Sequence, residues 1–109
     1  MKIKNISKTG FKAGSHLQGH FTATYDELVD VFGEPSYKGE AEGGFDKVWT
    51  EWELTFDTDE GEIYATIYDW KENGPEDSRH GKYRWHIGGF DWKAEDAVGT
   101  AFNQEKTYA

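Results

Sequence analysis

The chain has 109 residues, 17% of them aromatic, no cysteine, and 21 acidic residues against 12 basic ones, for a formal charge of -9. The missing cysteine excludes disulfides and thiolate metal sites, and the acidic balance disfavours direct binding to nucleic acid, which needs clustered Lys and Arg. One domain spanning residues 1–109 is expected, with a core built from a few large rings.

MKIKNIS alternates and predicts a short first strand with Ile3 and Ile6 turned inward. SKTGFKAGSHLQG carries three glycines and reads as a loop or irregular hairpin, and HFTA as strand-like. Neither the basic start nor any later segment has the apolar length of a signal peptide or a membrane span, so a cytoplasmic protein without membrane contact is expected.

Thr24 and Glu27 form a capping box at the head of TYDELVDVFG. Tyr25, Leu28, Val29 and Phe32 then fall on one stripe, and Gly33 with Pro35 stops the helix. SYKGEAEGGFD reads as a polar, glycine-rich, mobile connection.

KVWTEWELTFD is the clearest strand. Alternation puts Val48, Trp52, Leu54 and Phe56 on one face and Trp49, Glu51, Glu53 and Thr55 on the other. TDEG supplies turn chemistry, and EIYATIYDWK is the antiparallel partner. ENGPEDSRHGK reads as a long polar loop. YRWHIGG is a third strand, in which Tyr83, Trp85 and Ile87 alternate with Arg84 and His86, ended by Gly88 and Gly89. Asp91 caps a last helix, DWKAEDAVGTAFNQEK, striped by Ala94, Ala97, Val98, Ala101 and Phe102 and weakened by Gly99 by about 1 kcal/mol relative to Ala. The order predicts an α+β fold: an antiparallel sheet of three to five strands with two helices packed on one face.

Two helices cover only one face. The other would carry Trp49, Glu51, Glu53, Tyr64, Thr66, Tyr68, Trp70, Arg84 and His86, a mixture of rings and charges where a polar face is usual. The sheet curls so that the rings pack beneath loops, or the face is a homodimer interface, or it binds a protein or a flat ligand.

Other candidates have plain alternatives. His16 and His20 would be metal-spaced on a helix, but flanking glycines argue for a strand, where they stand roughly 13 Å apart; no metal or cofactor is expected. Glu51 and Glu53, flanked by Trp49 and Trp70, have the residue types of a glycosidase cleft or of a solvated, salt-bridged strand face. Asp69 falls toward the helix side, as a structural tie to His86, Arg84 or a helix N-terminus, or as a general base. HIGG before a helix is an anion site or a turn needing positive φ.

LVDVFGEPS, KVWTEWELTF, ATIYDWK and WHIGG, over roughly residues 17 to 90, together resemble small accessory proteins carried by bacteriophages and other mobile elements. The resemblance brings no established activity and no site residues. It implies a phage protein acting in a bacterial host cell. The expectation is then a non-enzymatic inhibitor of a host or defence protein, occluding a basic surface, with mimicry of DNA charge as one route. Trp49, Tyr64, Tyr68 and Trp70 would be its anchors, with Glu51, Glu53, Arg84 and His86 beside them. The alternatives are a protein that sequesters a small molecule or nucleotide, and a small hydrolase working through Glu51, Glu53 or Asp69.

Overall fold

The computed structural model describes residues 1–39 and 47–108. Most of the glycine-rich connection, residues 40–46, lies outside the described residues. The elements are β1 (Ile3–Lys8), β2 (His16–Thr24), α1 (Tyr25–Phe32), β3 (Tyr37–Lys38), β4 (Thr50–Thr58), β5 (Gly61–Tyr68), α2 (Glu76–Arg79), β6 (Lys82–Gly89) and α3 (Lys93–Tyr108).

The fold is α+β, and its one antiparallel sheet runs β1-β4-β5-β6-β2, with β3 paired to β4 at the opposite end from β1. Among the described residues it has six strands rather than three to five. The added strand is β3, which pairs with β4 from within the segment read as a polar connection, and β2 is longer than expected. HFTA is the tail of a nine-residue strand, because β2 pairs along β6 from His16↔Gly89 to Thr24↔Lys82 around one bulge. A third helix, α2, also forms within the segment read as a loop. Pro75 supplies φ -66 at its start, and the Asp77 carboxylate accepts the Asn73 N–H at 2.9 Å.

The capping box is present in both directions. Glu27 N–H donates to Thr24 Oγ1 at 3.1 Å, and Thr24 N–H donates to Glu27 Oε1 at 2.9 Å. Alternation on the strands turns Trp52, Leu54, Phe56, Ile67, Trp85 and Ile87 into the core, all fully buried. They share one apolar cluster with Leu28 and Phe32 of α1 and with Ala94, Ala97, Val98, Ala101 and Phe102 of α3. Burying each large apolar side chain contributes roughly 1.5–3 kcal/mol. The two buried indoles keep their polar atoms satisfied: Trp52 Nε1 donates to Gly33 O at 2.8 Å, and Trp85 Nε1 to Ala23 O at 3.0 Å. α3 touches β1, β2, β5 and β6, while α1 sits against α3 and β2 and reaches β4 through the Tyr25–Trp52 and Phe32–Phe56 ring contacts.

Gly88 and Gly89 do not end β6 at a turn, and neither has positive φ. Both are paired on two sides, Gly88 with Leu17 and Thr66 and Gly89 with His16 and Ala65. Their backbones are therefore sheet, not an anion-binding loop. What they supply is space: a Cβ on Gly89 would collide with the Cβ of Ala94, so its absence lets α3 settle onto the sheet. At the outer strand β2, the His20 N–H is donated not to a strand but to Glu95 Oε2 of α3, at 3.0 Å.

Candidate functional site

Strand register sets four side chains abreast on the face away from the core: Glu51 on β4, Tyr68 on β5, His86 on β6 and His20 on β2. The next row holds Glu53, Thr66 and Gly88. The His86 ring stacks on Tyr68 with centroids 5.5 Å apart and meets His20 edge-on at 4.8 Å. Tyr68 in turn meets Trp70 edge-on at 6.2 Å. Gly88 adds no side chain to this layer, and the Thr66 hydroxyl fills the place that a Cβ there would take. A cleft, about 190 Å³, is lined by Phe11, Ser15, His16, Val48, Glu51, Thr66, Tyr68, Trp70 and Gly88.

Glu51 dominates its electrostatics. Burial first, then a hydrogen bond with Glu53 and the charges of Glu53 and Asp69, push its carboxyl from 4.5 up to about 8. Its carboxyl is thereby biased toward the protonated form at neutral pH. Among the described residues no cation bridges either glutamate. Burial, then the charge of Glu51, raises the Tyr68 hydroxyl. Burial, then His20 and Arg84, lowers His86 from its ordinary value, which keeps the imidazole neutral. Its Nδ1 is buried and has no hydrogen-bond partner among the described residues.

The expected face is only partly open. Tyr64 is closed off at 5% exposure beneath the segment joining β1 to β2. Lys12 N–H donates to its hydroxyl at 3.1 Å, Lys12 Nζ lies 5.5 Å from its ring centroid, and Phe90 packs against it. Rings packed beneath a loop thus describe this end of the face. Trp49 leaves the row at a bend before β4, and its indole N–H donates to Glu72 O at 3.1 Å. The same bend resets the alternation, so Val48 lines the cleft instead of joining the core face. Trp70 is 39% exposed, and Arg84 is exposed two residues from His86 along β6. The site therefore brings together Glu51, Glu53, Tyr68, Trp70 and His86, with Arg84 at its margin, and not Trp49 or Tyr64.

Asp69 is a structural tie, with partners other than those expected. Fully buried, it accepts from Trp49 N–H at 2.8 Å, Thr50 N–H at 3.1 Å and the Ser78 hydroxyl at 2.8 Å. Arg79 fastens the same corner through Thr50 Oγ1, Trp49 O and Gly39 O, each at 2.8 to 2.9 Å. Sequence reasoning missed Ser78 and Arg79, and weighed His20 only as a metal partner of His16. Only the pairing of β2 with β6, not evident from HFTA, places His20 beside His86. His16 stands on β2 with its Nδ1 3.3 Å from Gly14 O. Among the described residues no three His, Asp or Glu side chains are grouped to hold a metal ion.

No family model matches this chain, and no curated protein or solved structure shows significant similarity to it.

Proposed function

We propose that the chain is a non-enzymatic binding protein that recognises a basic protein partner through the open part of the second sheet face. The observation that carries this reading is the row Glu51–Tyr68–His86, flanked by the part-exposed Trp70 and by Glu53. Aromatic anchors beside charge are the composition of interface hot spots. The formal charge of -9 adds a long-range attraction toward a basic surface. The finer reading, a phage-encoded inhibitor that occludes such a surface on a host or defence protein, draws on the resemblance of the FGEP, EW, IYDWK and WHIGG segments and on this charge.

Two features of the site weigh against the alternatives. A cleft of about 190 Å³ is smaller than the roughly 300–1,000 Å³ of pockets that enclose small molecules, so a nucleotide does not fit it. Glu51 and Glu53 stand two residues apart on one face of the single strand β4, whereas glycoside hydrolysis needs carboxyls placed on either side of a scissile bond.

The test is capture from bacterial lysate on immobilised wild type and on a Tyr68→Ala/Trp70→Ala variant, at low and high salt, with the retained proteins identified by mass spectrometry. The expected result is a basic protein held by wild type at low salt and released by the double change or by salt. Equal retention by both baits at both salt concentrations would refute the face assignment.

A further inference from the structure

We infer that the cleft above Thr66 and Gly88 takes a guanidinium group, the side chain of a partner arginine, with Glu51 and Glu53 as its counter-charges and Tyr68 and Trp70 as its aromatic walls. This deepens the reading above and rests on it.

Three observations converge. First, Glu51 and Glu53 stand two residues apart on the same face of β4, half-buried and with no bridging cation among the described residues. Buried carboxylates need a positive partner or a proton, and burial pushes the Glu51 carboxyl up toward its protonated form. Second, the adjoining ring already draws cations. Lys47 Nζ and Lys71 Nζ each lie 5.8 Å from the Trp70 ring centroid, and neither bridges Glu51 or Glu53. Third, the cleft, at about 190 Å³, has the size of a side chain, and the rings of Tyr68 and Trp70 line it beside Glu51. A guanidinium stacks on aromatic faces and offers paired N–H donors to carboxylates, which a lysine ammonium does not.

Entry of the cation displaces the Glu51 proton. The Glu51 O–H bond breaks, its proton leaves to solvent, and the guanidinium takes its place between two carboxylates. The carboxyl pair carries one negative charge before binding, and pair plus ligand carry one negative charge after it. Binding therefore releases one proton, and affinity rises with pH by up to tenfold per unit until Glu51 ionises by itself. Among the described residues, the other titratable and charged groups around Glu51 are Glu53 and Lys47 on its own segment, Tyr37 paired to it on β3, and Tyr64, Tyr68 and Asp69 of the β5 stretch. His86 on β6 and His16 on β2 complete the set.

The experiment is a titration of the ¹⁵N-labelled full chain with N-acetyl-arginine amide, and with N-acetyl-citrulline amide as the neutral isostere. The expected result is movement of the Trp70 indole N–H and the Thr66 and Gly88 amide signals with the arginine compound alone. Its affinity should strengthen from about pH 6 to about pH 8. Glu51→Gln, whose spectrum reports that it is folded, should bind more weakly and without pH dependence. Equal shifts from citrulline, no shifts with arginine, or a pH-independent wild-type affinity would overturn the inference. If the arginine compound leaves the spectrum unchanged while the Tyr68→Ala/Trp70→Ala variant still loses a basic partner, the inference fails and the binding reading stands.

Discussion

Asp69 Oδ2 accepts the Ser78 hydroxyl at 2.8 Å, while its Oδ1 holds the backbone N–H groups of Trp49 and Thr50. One buried carboxylate therefore fixes where β4 begins relative to α2. Asp69→Ala leaves three donors without their acceptor and should lower stability by about 3 kcal/mol, with Asp69→Asn losing less because one oxygen remains. Urea unfolding followed by tryptophan fluorescence measures both.

Two glycines should respond to alanine in opposite directions. Gly89 faces Ala94 of α3 with no room for a Cβ, so Gly89→Ala should destabilise by about 1–3 kcal/mol. Gly99 lies within α3 with open space where its Cβ would be, so Gly99→Ala should stabilise by about 0.5–1 kcal/mol. Thermal melts of the two variants should fall on either side of wild type.

Glu51 should make stability fall as pH rises. It ionises at about 8 in the folded chain, against 4.5 ordinarily. The unfolded chain gives up this proton first, so folding loses ground from about pH 4.5 up to about pH 8. Glu51→Gln cannot ionise and should exceed wild type most at about pH 9, the two converging at about pH 5. His86, held below 6.5, acts in the other sense and only as the pH falls through its lowered value. Denaturant midpoints across pH test the difference.

Thr24→Ala removes the acceptor of the Glu27 N–H and should lower stability by about 1 kcal/mol. Thr24→Asp should recover most of it, because Asp also caps. Chemical denaturation of the pair provides the check.

Local rules read much of this fold. The capping box of α1, the stripe of α3 and the alternation of Trp52, Leu54 and Phe56 depend on spacing alone, and each lies where its spacing requires. Features set by tertiary pairing were less legible. The length of β2 depends on its ladder with β6, across more than sixty residues from His20 to His86. Because the bend at Trp49 comes from ties to Asp69 and Arg79, alternation carried back from Trp52 put Val48 on the core face instead of in the cleft and kept Trp49 in a row that it leaves. For the site, Glu51, Glu53, Tyr68, Trp70 and His86 were legible because they alternate within regular strands. Tyr64 alternates correctly too, but whether a ring is open or closed depends on a loop, and here Lys12 and Phe90 close it.

Glu95 bears on how this molecule behaves in a crowd of its own kind. The sheet order ends at β2, nine residues long and free of lysine and proline, the kind of rim on which sheets of separate molecules can zip together. By seating a carboxylate on the His20 N–H, α3 occupies one of the donors that such zipping would need. At the opposite rim, Lys4 and Lys8 of β1 serve the same end with positive charge. A single helix side chain thus closes one hydrogen-bonding position on an outer strand.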